Sequence, residues 1–170
     1  MKLATFENAA GRQTGVVTGD TITPTGIAGS MIDLIANWDT LKPAIMRNTA
    51  NGIAVPLASV QLLAPVLRPG KVFAIGLNYA DHIAESKMAT PEHQVWFTKA
   101  VTSINGPNAP ILISKTGPFV DYEIELVAII GKGGKHISRE RAHEHVFGYC
   151  VGNDVTERLW QHTTAQWSLG

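Results

Sequence analysis

Hydrophobic and polar positions alternate in short stretches over the first 25 residues: Leu3-Ala4-Thr5-Phe6, Thr14-Gly15-Val16-Val17 and Thr21-Ile22-Thr23 are separated by Asn8 to Gly11 and by Gly19-Asp20. Alternation between turn residues predicts a small β-meander with hairpin connections. From Met31 to Asn37 and from Trp38 to Asn48 apolar residues recur at roughly helical spacing, interrupted by Pro43, which predicts one or two short helices. Residues 48–56 read as a loop, and the texture changes near residue 60, at Leu62-Leu63-Ala64-Pro65. The chain is therefore expected to divide into a small N-terminal β-rich domain with one or two short helices, residues 1–60, and a second domain, residues 61–170.

In the second domain, residues 71–76 read as a buried strand, and Asn78 to Glu85 as a helical turn opening beside its end. Residues 95–97 and 111–113 read as short apolar strands, residues 123–130 as a strand that dives into a core, and residues 146–152 as another buried strand. Ser138 can cap a helix running to about His145, and residues 156–161 predict a further short helix. The turn Gly131-Lys132-Gly133-Gly134-Lys135 has the composition of a phosphate loop, but it lacks the Walker spacing and the Ser or Thr after the lysine. Many short strands with few helices predict a mixed, β-dominated α+β fold.

The run Asp121-Tyr122-Glu123-Ile124-Glu125-Leu126 carries the main chemical signal. In a strand, Glu123 and Glu125 would share one face with Cα atoms roughly 7 Å apart. Carboxylates that close raise each other's pKa unless a cation or donor neutralises them, and a hard divalent metal suits an all-oxygen pair. The same alternation also fits the wet face of a half-buried strand, so both readings stand here. Asp154, just past the end of the strand at 146–152, is a third acid at a strand end. On the segment from Asn78, His82 and Glu85 are three residues apart; a carboxylate holding one ring nitrogen leaves the other able to take a proton from water. From the spacing alone, an ordinary exposed surface pair is the simpler reading. Arg158 and Gln161 share a face just past Asp154 and could capture a substrate carboxylate, or form an ordinary solvated face.

Charge and cysteine content narrow the class. Lys and Arg number 14 and so do Asp and Glu, so no net charge points to nucleic acid or an anionic membrane as a partner. The single cysteine, Cys150, leaves no intrachain disulfide and no thiolate metal site, and its apolar setting reads as core packing. The apolar runs are too short to span a bilayer, and the N-terminus lacks the regions of a signal peptide, so a cytoplasmic location is the expectation.

Taken in order, Leu77-Asn78-Tyr79-Ala80-Asp81-His82 with Glu85, Phe97-Thr98-Lys99, Asp121 to Leu126 with Ile130-Gly131-Lys132, and Gly148-Tyr149 through Asn153-Asp154-Val155-Thr156 with Arg158 and Gln161 resemble the fumarylacetoacetate hydrolase family. The resemblance covers residues from about 62 to 170 and implies a mixed β-roll that dimerises, preceded by a small β-rich domain. It implies a Mg²⁺ or Mn²⁺ site, with Ca²⁺ as a further candidate, made by Glu123, Glu125 and Asp154. The implied activity is hydrolytic carbon–carbon cleavage of small 2-oxo acids of the acylpyruvate type through a metal-bound enolate, with His82, polarised by Glu85, activating water. Arg158, Gln161, Tyr79 and Lys99 would contact substrate. Decarboxylation or isomerisation by a relative of the same family, and an inactive fragment serving as an interaction module, are the competing expectations. The family's pattern continues with a lysine soon after the position of Gln161, where this chain reaches Gly170. The β-roll is thus expected to be incomplete, with the apolar strands at 71–76, 123–130 and 146–152 short of partners.

Overall fold

A computed structural model of the chain describes residues 1–86 and 89–170. In chain order the elements are β1 (Lys2–Asn8), β2 (Gly11–Thr18), β3 (Thr21–Pro24), α1 (Met31–Ala36), α2 (Trp38–Asn51), β4 (Val55–Pro56), β5 (Gln61–Leu62), β6 (Val72–Gly76), α3 (Ala80–Ser86), β7 (Val95–Lys99), β8 (Val120–Asp121), β9 (Ile124–Ile130), β10 (Val146–Asn153), β11 (Thr156–Glu157) and α4 (Arg158–Thr163). They fall into two compact units: one of Met1–Leu67, Ile104–Pro110 and Glu125–Gly152, the other of Arg68–Ser103, Ile111–Ile124 and Asn153–Gly170.

The first unit is built on the expected meander, an antiparallel sheet of order β4-β3-β2-β1-β5. Tight connections pair Asn8 with Gly11 and Thr18 with Thr21, and Gly11 and Gly19 take the positive φ values, 93° and 55°, that such turns require. Alternation sends Phe6 and Ile22 into the interior, where both are fully buried. The buried threonines are paired: Thr14 and Thr25 share a hydroxyl hydrogen bond of 2.7 Å, and the Thr5 hydroxyl donates to the Pro65 carbonyl at 2.7 Å. α1 opens on a reciprocal cap, in which the Ser30 hydroxyl accepts from the Asp33 N–H and the Asp33 carboxylate accepts from the Ser30 N–H. Its face buries Met31 and Leu34 against Ile45 of α2, with Trp38, Leu41 and Phe147 packed around them.

The second unit contains the antiparallel pair β6 and β7, running from Val72 opposite Lys99 to Gly76 opposite Val95, and the short pair β8 and β11. The Trp167 ring packs over Gly76, where a Cβ would overlap it, and meets Phe97 edge-on at 5.6 Å between ring centroids.

Several expectations are corrected. Among the described residues, 111–113 form no strand, whereas the strand expected at 123–130 is present as β9 and starts one residue later, at Ile124; Tyr122 and Glu123 lie between it and the end of β8 at Asp121. Residues 139–145 form a 3₁₀ helix rather than an α-helix, and Ser138 makes no side-chain cap to it. Thr156 and Glu157 belong to a strand before α4 begins. α2 passes through Pro43 and continues to Asn51, so the loop starts later than expected. β9 is far from buried, with Ile124, Leu126 and Ile130 each more than 60% exposed, and β6 and β10 present Phe73, Tyr149 and Val151 to solvent. Within the described residues β6 pairs only with β7, and β9 only with β10, which agrees with strands short of partners. No helix among the described residues is long and apolar enough to cross a membrane.

Leu34→Ala should lower the stability of the first unit by about 2–5 kcal/mol, the usual cost of emptying a well-packed core site, measured as a lower unfolding midpoint. Ser30→Ala should cost less. Hydrogen bonds from Ser30 hold the Asp33 carboxyl below its ordinary pKa. The stability Asp33 contributes is therefore fully present above the unfolded value of about 3.9 and fades as pH falls through the lower folded value. Asp33→Asn should remove that acid-side dependence.

Candidate active site

The candidate side chains of the second unit are carried by β7, the β8–β11 pair and α3. β8 and β11 place Asp121 opposite Thr156, which sets the chain on either side of them in register. The Asp154 N–H then donates to the Glu123 carbonyl at 2.9 Å, and the Glu123 N–H donates to the Asn153 side-chain oxygen at 3.1 Å. Two acids 31 residues apart in sequence are thereby clamped main chain to main chain. Along the run, Glu123 and Glu125 are half-buried while Tyr122, Ile124 and Leu126 are exposed, so the alternation survives with the acids on the shielded side. The wet-face reading of these acids does not hold.

Asp154 is deeply placed, with only 8% of its side chain exposed, and Lys99 Nζ at the end of β7 lies 2.5 Å from its Oδ1. That oxygen is buried and accepts no well-formed hydrogen bond from the described residues, so the ammonium offsets its charge without satisfying its lone pairs. Arg158, at the start of α4, reaches three partners. Its Nη2 lies 2.6 Å from Glu123 Oε1. Its Nε and Nη2 both donate to Asp121 Oδ2, at 3.1 and 2.9 Å, and its Nη1 donates to Gln161 Oε1 at 3.1 Å. Partial burial disfavours the guanidinium charge, but the bonds to Asp121 and Glu123 outweigh it and raise the Arg158 pKa. The hydrogen bond from Arg158 in turn lowers the Asp121 pKa, helped by the Tyr122 N–H and, more weakly, by His82.

Leu77 leaves β6 with φ +53°, a left-handed conformation that a bulky residue seldom adopts, and swings the chain into α3. α3 carries half-buried His82 and exposed Glu85 one turn apart. Tyr79, exposed, accepts the Ile83 N–H at 3.1 Å through its carbonyl. Among the described residues no three His, Cys, Asp or Glu side chains form a group that could hold a metal ion. The three-carboxylate set implied by the resemblance is thus not gathered in this structure: Glu123 and Asp154 are joined, and half-buried Glu125 falls in the stretch of β9 that belongs to the first unit.

Three supporting residues escaped the sequence reading. Asp121 fixes Arg158, Asn153 fixes the Glu123 main chain, and the Glu157 carboxylate accepts from the Trp160 N–H at 2.6 Å and the Phe119 N–H at 3.1 Å. The last of these left a trace in the sequence, since an acceptor three residues before Trp160 has the spacing of a helix N-cap. Gly117 has no Cβ because Glu157 occupies that space.

The fumarylacetoacetate (FAA) hydrolase C-terminal family model matches residues 71–170. The chain belongs to the fumarylacetoacetate hydrolase family. Residues 1–65 match the Rv2993c-like N-terminal model. A mitochondrial oxaloacetate tautomerase of Bos taurus is 35% identical over 164 residues, covering 95% of this chain and 52% of that protein. Among solved structures, maleylpyruvate hydrolase from Sphingobium sp. SYK-6, in complex with manganese(II) and pyruvate, superposes with a TM-score of 0.78 at 33% identity, covering 93% of this chain and 60% of that one. The 5-carboxymethyl-2-hydroxymuconate delta-isomerase of Mycobacterium smegmatis superposes with a TM-score of 0.74 at 32% identity, covering 99% of this chain and 60% of that one. The fold is that of the fumarylacetoacetate hydrolase family, whose members are enzymes. The chain spans about half the length of the curated relatives it matches.

Glu157→Ala should release both amides that its carboxylate holds. Hydrogen exchange at Trp160 and Phe119 should accelerate together by about tenfold, equivalent to about 1.4 kcal/mol and within the usual range for a lost helix cap. Glu157→Gln should lose less, since one acceptor oxygen remains.

Proposed function

We propose that this chain carries the metal-binding and acid–base half of a divalent-metal-dependent enzyme that cleaves a carbon–carbon bond in small 2-oxo acids of the acylpyruvate type. The observation that carries the reading is the clamped pair Glu123 and Asp154, two shielded carboxylates beside an Arg158 already joined to Gln161. Mg²⁺ is commonly held by one or two carboxylates together with waters and substrate oxygens, so this pair fits it. The buried Asp154 Oδ1, without a hydrogen bond from the described residues, is the atom such an ion would satisfy. Mn²⁺ would suit the same oxygens.

When bound, the cation supplies a Lewis acid that draws negative charge from the oxygens of a 2-oxo carboxylate. The side chains of the chain do the rest. The Arg158 fork and the Gln161 amide orient substrate oxygens, with Tyr79 and Lys99 as further contacts. His82 takes a proton from water at a ring nitrogen, and Glu85, one turn away on α3, orients the ring. Asp121 holds the guanidinium in place. A second reading, proton transfer without bond cleavage, is favoured by the relatives that are a tautomerase and an isomerase, and it would use the same His82.

A calorimetric Mn²⁺ titration, with and without oxalate as a mimic of the 2-oxo carboxylate, tests the centre without a known substrate. One site per chain is expected, tightened by oxalate and lost in Glu123→Gln. His82→Ala should leave metal affinity nearly unchanged while lowering turnover by about 10²–10⁴-fold, the usual worth of a general base. Activity that survives complete removal of divalent metal would overturn the reading.

A further inference from the structure

The acids proposed for the metal are already neutralised by cations of the chain. Lys99 Nζ is 2.5 Å from Asp154 Oδ1 and Arg158 Nη2 is 2.6 Å from Glu123 Oε1, and both cations are shielded, with 19% and 25% of their side chains exposed. We propose that Lys99 and Arg158 are exchangeable stand-in cations, which hold Asp154 and Glu123 in the metal-free chain and are displaced when a divalent cation loads, so that metal binding itself frees Arg158 for an anionic substrate. The inference rests on the metal reading above.

Three observations support the exchange. First, the Lys99–Asp154 pair differs in quality from a structural ion pair. Lys99 offsets the charge of Asp154 but leaves Oδ1 without a well-formed hydrogen bond from the described residues, whereas a divalent cation could ligate that oxygen directly. Second, Arg158 has somewhere else to go. Its Nε and Nη2 are also anchored on Asp121 and its Nη1 on Gln161, so losing Glu123 leaves the side chain positioned rather than loose. Third, the charges balance. Lys99 and Arg158 face three carboxylates, those of Asp121, Glu123 and Asp154, which leaves the metal-free cluster one negative charge in excess. A divalent cation turns that excess into one positive charge, which an anionic 2-oxo acid then offsets. Metal should therefore bind first, and carboxylate substrates should bind well only afterwards. Like-charge repulsion between the incoming ion and the two resident cations lowers metal affinity in the parent chain.

The test compares Mn²⁺ affinity by calorimetry in the parent, Lys99→Met, Arg158→Gln and Glu123→Gln, with thermal unfolding of each in chelator and in saturating Mn²⁺. Lys99→Met and Arg158→Gln should each bind Mn²⁺ at least tenfold more tightly than the parent. Lys99→Met should melt below the parent in chelator, because Asp154 is left buried and unpaired, and should recover the parental midpoint in Mn²⁺. A purely structural lysine would show a deficit that Mn²⁺ leaves in place. If Glu123→Gln abolishes binding while neither cation variant tightens it, the exchange is wrong and the metal centre stands. If no chain binds Mn²⁺, the centre itself is wrong and the exchange falls with it. Arg158→Gln carries the same test should Lys99→Met fail to fold.

Discussion

A carboxylate with 8% of its side chain exposed sets the conditions for the rest of the second unit. Burying the charge of Asp154 is unfavourable unless something offsets it, and in this structure the offset comes from Lys99 at the end of β7. That contact links the β6–β7 pair to the turn after β10. The Asp154 main chain is fixed to Glu123, and Glu123 to Arg158, so one buried acid organises a chain of charged groups through β8, β11 and α4. Charge pairing does here what apolar packing does in the first unit.

The contrast between the units is physical. Every buried apolar side chain among the described residues, from Phe6 to Ala64, lies in the first 64 residues. The second unit has the packing of Trp167 on Gly76 and Phe97 and the edge contact of exposed Phe73 with Trp96, alongside its hydrogen bonds and ion pairs. In the first unit, away from that core, Leu126 and Ile130 of β9 and Tyr149 and Val151 of β10 stand mostly exposed, more apolar surface than scattered single residues would give. A site held by directional polar contacts keeps its atoms placed but leaves them dependent on charge, so a change of cation should be felt throughout the cluster.

What the sequence revealed, and what it did not, follows from the range of the forces involved. The meander was legible because alternation and the turn residues around Gly11 and Gly19 are local, and α1 and α2 because their apolar spacing is local too. The interruption expected at Pro43 does not break α2, because packing of Ile45 and Trp38 sustains the helix despite a lost backbone bond. Residues 111–113 look like a strand because they are β-prone, yet a strand also needs a free neighbouring edge, which no local pattern reports. Likewise an apolar run such as β9 reads as buried whether or not a partner covers it. In the site, the residue types of Glu123, Asp154, Arg158 and Gln161 pointed to their neighbourhood. The pairing of Lys99 with Asp154, and of Asp121 with Arg158, was hidden because ion pairs across long sequence separations leave no periodic trace.

The most direct test of the central claim, that Glu123 and Asp154 are metal ligands held in reserve by cations, is a crystal structure grown with Mn²⁺ and phased at the manganese edge. The expected result is one anomalous peak bonded to both carboxylates, with Lys99 Nζ withdrawn from its position 2.5 Å from Asp154 Oδ1. A peak that touches neither acid, or a Lys99 still paired with Asp154 beside a bound ion, would contradict it.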